Sequence, residues 1–106
     1  MLDPALPRVL IPFHRDEALT VCEAAHIARK SAGTVRQWAA RFDIGRRVGG
    51  GDWMVSYPAL LMHLDGDEDA LRSYLAGDRQ SDDVRGYFER ASAEKSAQYR
   101  QKAQIR

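Results

Sequence analysis

The chain has 106 residues, with 16 lysines and arginines against 15 aspartates and glutamates, a net charge of +1. That length holds one compact domain, which 44% hydrophobic residues suffice to fill while the 29% charged residues cover its surface. No apolar run approaches the roughly 20 residues of a membrane helix, the start with Asp3 and its prolines lacks the blocks of a signal peptide, and the single cysteine, Cys22, leaves no internal disulfide, so a soluble, cytoplasmic protein held together by packing is expected.

Pro4, Pro7 and Pro12 fix φ and remove three backbone donors. Residues 1–19 therefore read as an extended arm, with Val9, Leu10 and Ile11 as its sticky part. Thr20 and Glu23 then form a capping-box pair, and Val21, Ala24, Ala25 and Ile27 recur at helical spacing, which predicts a short helix over 20–28. Ser31 is the next N-cap. After it Val35, Trp38, Ala39 and Phe42 make one buried helix face, and Thr34, Arg36, Gln37, Ala40 and Arg41 lie opposite. The short spacer between the two helices predicts a tight, steeply crossed pair.

Past Asp43 the pattern changes to alternation. Arg46 to Val48 and Trp53 to Ser56 read as strands, joined by Gly49, Gly50, Gly51 and Asp52 in a hairpin whose glycines supply positive φ. Ser56 caps a further helix with Pro58 in its first turn, Leu60, Leu61 and Leu64 on its apolar side, and Gly66 past its end. Asp67, Glu68 and Asp69 suit the positive end of another helix, which buries Leu71, Tyr74 and Leu75 and stops at Gly77. From Ser81, Val84, Tyr87, Phe88 and Ala91 continue the helical period. Lys95, Gln98 and Lys102 then occupy the stripe, so the packed part is expected to end near Ala91, leaving 92–106 as a polar, basic tail or fraying helix. The segments are thus an arm 1–19, a module 20–64, a helical extension 65–91 and a tail 92–106.

The near-zero net charge hides an uneven layout: +2 over residues 1–64, −4 over 65–90 and +3 over 91–106. The sharpest basic stretch is Thr20 to Ser56, where Arg29, Lys30, Arg36, Arg41, Arg46 and Arg47 face Glu23, Asp43 and Asp52. Excess positive charge of this kind attracts an anionic surface. Catalysis finds little support. His14, His26 and His63 are far apart, Cys22 and His26 supply two ligands where structural zinc wants four, and Asp65, Asp67 and Asp69 lack the remaining positions of a calcium loop. No enzymatic activity, metal or cofactor is expected.

Two short helices, a glycine-tipped hairpin and another helix follow the order of a winged helix-turn-helix, whose second helix is sized for the major groove. The residues carry a likeness. Thr20-Val21-Cys22-Glu23-Ala24-Ala25, Ser31, Thr34-Val35-Arg36-Gln37-Trp38, Arg47-Val48-Gly49-Gly50-Gly51-Asp52-Trp53 and Ala59-Leu60 resemble the small MerR-like and phage excisionase winged helices, over about 45 residues from Thr20 to Leu64. Arg29 stands where that family usually has a turn glycine and Lys30 where it has an apolar anchor, so a reshaped turn is expected. Asp52 stands at a wing tip where a basic residue is common, which weakens a phosphate role for the tip itself.

The resemblance implies a mainly α fold with a small β-hairpin wing and additional C-terminal helices, bound to double-stranded DNA. Arg36 and Gln37 are the candidates for reading bases, as Arg suits guanine and Gln suits adenine. Thr34 and Arg41 suit phosphate at either end of the helix, and Arg46 and Arg47 suit phosphate from the wing, Arg47 being the better placed. Trp38 and Trp53 read as core. Leu71, Tyr74, Tyr87 and Phe88 form either an extra core layer, the favoured alternative, or a dimer surface. One such module buries a modest interface, so a homo-oligomer on DNA is expected. The implied roles are an excisionase setting recombination direction, with an integrase or another protein as partner, a transcription regulator, or a small phage DNA-packaging subunit. The alternative from another class is a protein-interaction domain of winged-helix fold without DNA binding.

Overall fold

Short polar side chains set the helix starts. In the computed structural model, which describes residues 9–10 and 14–104 with side chains to residue 98, Thr20 Oγ1 accepts from the Glu23 amide at 3.1 Å and Glu23 Oε1 accepts from the Thr20 amide at 2.9 Å, opening α1 (Val21–Ala28). Ser31 caps α2 (Ala32–Arg41), Ser56 caps α3 (Tyr57–Asp65), and Asp67 caps α4 (Glu68–Leu75). Ser81 stands before α5 (Asp82–Gln104) and accepts from the Val84 amide. Each cap satisfies a backbone donor that the first helical turn leaves unpaired.

Three short strands, β1 (Ala18–Thr20), β2 (Gly45–Arg47) and β3 (Trp53–Ser56), form an antiparallel sheet in the order β1-β3-β2. The protein is therefore mainly helical with a small three-stranded sheet. β1 belongs to what the sequence presents as an extended arm: a 3-10 turn at Arg15–Glu17 leads into it, and Leu19 lies opposite Val55 on the central strand. Val9 and Leu10, the arm's apolar part, are fully buried, while residues 1–8 and Ile11 to Phe13 lie outside the described residues.

One core joins the first three of the expected segments. Leu10, Leu19, Val35, Ile44, Val55, Tyr57, Leu60, Met62, Tyr74, Val84 and Ala91 are buried in a single cluster. Leu71, Tyr87 and Phe88 pack against it, so the residues beyond 64 add a layer to the core. The Tyr74 and Phe88 rings meet edge to face at 5.4 Å, and the Arg79 guanidinium lies over both while pairing with Glu17. Ser56 is the one buried polar side chain of the described residues; its Oγ accepts from the Ala59 amide and lies 3.1 Å from the Tyr74 hydroxyl.

The C-terminal part differs from the expected tail. α5 runs without a break across the expected boundary at residue 91, and its polar positions are used: Tyr57 donates to Glu94 at 2.9 Å, and Lys95 Nζ donates to the carbonyls of Arg15 and Ala18 at 2.6 and 2.7 Å. A lysine that completes the hydrogen bonding of another segment holds a helix in place as an apolar residue would. Part of the acidic block is also engaged internally. Asp65 takes a 2.8 Å bond from Arg90 and sits with Asp67 around the Tyr87 hydroxyl, and Asp69 pairs with Arg72.

The turn between α1 and α2 is not reshaped by its missing glycine. Arg29 itself adopts the left-handed conformation, φ 57° and ψ 46°, and the Lys30 amide closes onto the Ala25 carbonyl as in a glycine-ended helix. The close approach of α2 to the sheet depends instead on Gly45, where a Cβ would lie 2.6 Å from the Met54 carbonyl oxygen and 3.0 Å from the Ala39 methyl. Substitutions at these two sites should move stability in opposite directions. Arg29→Gly is expected to raise the unfolding free energy by about 1 kcal/mol, by relieving the left-handed strain, and Gly45→Ala to lower it by about 1–3 kcal/mol through overpacking. Urea denaturation of the three proteins checks both signs.

Candidate nucleic-acid interface

α2 is presented by the elements beneath it. Val35 and Ala39 are buried against α1, β2 and β3, which turns Arg36, Gln37, Ala40 and Arg41 to the surface. Trp38 is half-buried, its ring edge-to-face on His63 of α3 at 4.6 Å. Phe42, expected inside, is 36% exposed, because the helix ends at Arg41 and the ring of this capping residue rests on the other side of His63 at 4.7 Å. His63 is thus the wedge that seats the C-terminal half of α2 on α3. Burial holds its imidazole below the usual histidine range.

The hairpin turn runs from Val48 to Gly51, closed by a 3.1 Å bond from the Gly51 amide to the Val48 carbonyl. Gly49 and Gly50 both have positive φ, 62° and 75°, the combination of a type I′ turn that only glycine adopts cheaply. The turn brings Asp52 beside α2. Arg36 Nε donates to Asp52 Oδ1 at 3.2 Å and Nη2 to Oδ2 at 2.8 Å, while Oδ1 also accepts from the Trp53 amide at 2.7 Å. The Arg36 bond, followed by that amide, holds the Asp52 carboxyl down to about 2, and the same pair raises the guanidinium. Helix and hairpin tip are therefore joined by a two-point ion pair that stays charged at neutral pH.

The remaining expected contact residues fall into two groups. Gln37 and Arg41 are exposed, with Arg41 lying over the Phe42 ring at 5.5 Å. Thr34 is half-buried and accepts from the Ser31 hydroxyl at 3.0 Å. Arg47 is exposed and bonds the Gly51 carbonyl at 2.9 Å through Nε, bracing the wing with its terminal nitrogens toward solvent. Arg29 and Lys30 are exposed at the turn before α2.

Arg46 belongs elsewhere. In register it lies opposite Met54 while Arg47 lies opposite Trp53, so period-two alternation sends the two arginines to opposite faces of the sheet. The Arg46 face is covered by the arm, and its Nε and Nη2 donate to the Leu10 carbonyl at 3.0 and 2.8 Å. That bond steadies a leucine held at a φ of 58°. Arg46 is therefore an internal tie and is removed from the set of contact residues expected from sequence. Asp52, by contrast, belongs to the site as the group that holds Arg36. An opposite charge sixteen positions away carries no periodic signal, and only the hairpin's return brings the two together.

Comparison of the chain with protein-family models, with curated proteins and with solved structures gives no match. Among the described residues no three His, Cys, Asp or Glu side chains gather as a metal site, and no helix is long and apolar enough to cross a membrane.

The His63 wedge carries a pH dependence. Since the folded state holds this imidazole below its ordinary value of 6.5, the unfolded chain binds more protons as pH falls through that value, and stability must fall with it until the folded group also protonates. His63→Phe keeps a ring between Trp38 and Phe42 without the titration. The urea midpoint of the parent should drop between pH 7.5 and 5.0 by more than that of the variant; equal drops would remove His63 as the cause.

Proposed function

We propose that this chain is a non-enzymatic, duplex-DNA-binding protein of winged helix-turn-helix type, in which α2 enters the major groove and the β2–β3 hairpin lies beside it on the backbone. The observation that carries this reading is the Arg36–Asp52 pair: it ties the exposed polar face of α2 to the wing tip, so both elements approach one partner surface together. The helix is of a size to enter the groove and the hairpin to track its edge.

The roles divide by chemistry. Arg36 and Gln37 read bases. Arg41, Arg47, Arg29 and Lys30 neutralise phosphates, and the Thr34 hydroxyl, already accepting from Ser31, keeps its own proton to donate to a phosphate oxygen. Arg46 has no part in this set. Of the acidic charges of 65–90, Asp65 and Asp67 are engaged within the C-terminal layer, and α5 packs on α3, α4 and the 3-10 turn rather than chiefly on α2. A single module of this kind buries a small interface, so binding uses two or more copies on adjacent sites. Within DNA binding, the arrangement serves an architectural protein of excisionase type working beside an integrase, or a transcription regulator.

Four phosphate contacts imply a salt slope of roughly −3 to −4, hence an affinity for duplex DNA that falls roughly a hundredfold between 50 and 200 mM salt. Arg47→Ala should weaken all sequences alike and reduce that slope by about 1, while Arg36→Ala should cost about 1–3 kcal/mol on a selected site. Fluorescence anisotropy over a salt series measures all three. A flat salt response would favour a protein-interaction domain of the same fold.

A further inference from the structure

The Arg36–Asp52 pair has a geometry that a simple stabilising contact does not require. Arginine offers five N–H donors in a planar fork. Asp52 takes the side of that fork, Nε and one hydrogen of Nη2, which leaves the end of the fork, the second hydrogen of Nη2 and one hydrogen of Nη1, directed along the side chain. The end of the fork is the edge whose two parallel donors match O6 and N7 of guanine in the major groove. Asp52 is itself anchored, because its Oδ1 accepts from the Trp53 amide at the start of β3. The guanidinium is held at two points on a carboxylate that is held in turn by the sheet.

We propose that Asp52 is a specificity-determining positioning residue, which from the wing tip fixes the Arg36 guanidinium so that its free end-on edge meets a guanine. This rests on the DNA-binding reading above and names the base that the site selects. Two further observations favour positioning over stability. Both partners are about half exposed, 46% and 55%, and ion pairs so placed contribute little to folding. An acid at a wing tip also repels the phosphates beside it, so in a DNA-binding protein it weakens general affinity; its compensating effect is the orientation of Arg36. The carboxylate stays ionised well below neutral pH, so the orientation holds at any pH at which DNA binding is measured.

The two effects have opposite signs, and that separates them. Selection from randomised duplexes with the parent protein defines a site; the guanine whose preference is lost in Arg36→Ala is then replaced by adenine, and both duplexes and an unrelated one are titrated with parent, Asp52→Asn, Arg36→Ala and the double variant. Asp52→Asn is expected to lower guanine preference at that one position about fivefold or more, to leave binding of the unrelated duplex unchanged or tighter, and to have no further effect on preference in the Arg36→Ala background. Unchanged preference in Asp52→Asn overturns the positioning role while the DNA-binding reading stands. So does an equal weakening on all three duplexes, which means a damaged wing, and so does a loss of preference that persists without Arg36. If Arg36→Ala loses no guanine preference, the base assignment falls with it. A parent protein with no salt-dependent duplex binding overturns both readings.

Discussion

The buried hydroxyl of Ser56 is the joint on which the rest of the molecule is built. This residue ends β3, its amide bonds the Ile44 carbonyl at 2.8 Å, its Oγ starts α3, and the same oxygen meets the Tyr74 hydroxyl of α4. A polar atom inside an apolar core is costly unless partnered, so the strand, the helix and the C-terminal layer must all be in place together for Ser56 to be buried. That coupling explains why one core runs from Val9 to Ala91 rather than dividing at the end of the hairpin module. It also makes β3 the organising strand: β1 pairs on one side of it, β2 on the other.

The candidate interface follows from that frame. Gly45 lets α2 sit close on β2 and β3, Val35 and Ala39 fill the contact, and Trp38 and Phe42 close it around His63. The polar face of α2 is outward because its apolar face has no alternative to the sheet. The hairpin reaches it because two successive glycines at positive φ reverse the chain within the connection between Arg47 and Trp53. Charge is then sorted by the sheet. Alternation sends Arg46 inward to the arm and Arg47 outward beside the wing, and the Arg36–Asp52 pair couples two elements that sequence separates.

Much of the local structure was legible because it depends on neighbours within four residues. The caps at Thr20, Ser31, Ser56 and Ser81, the Val35 and Ala39 part of the inner stripe of α2 and the glycine turn are properties of short windows, and they stand in the structure within a residue or two of where the sequence puts them. Three features were not legible for the same reason. β1 has three residues, too few to show a period, and exists only because β3 offers it an edge. The turn of α5 at Glu94 and Lys95 looks unsupported in the sequence because its partners, Tyr57 and the carbonyls of Arg15 and Ala18, lie far off in the chain. Arg29 at a glycine position predicts a reshaped turn, yet a strain of about 1 kcal/mol is small beside the burial of the two helices that the turn joins, and Arg29 adopts the left-handed conformation.

Sequence alone determined where helices begin, which face of α2 is apolar, where the hairpin reverses and where positive charge gathers, since each is decided by covalent neighbours and by side-chain chemistry. The tertiary structure decided which charges remain for a partner. It withdrew Arg46 into a bond with Leu10, engaged Asp65 and Asp67 within the C-terminal layer, and set Asp52 against Arg36. Hydrogen bonds and ion pairs act over about 3 Å whatever the distance along the chain, and no periodicity in a linear sequence encodes which distant groups a fold will bring that close.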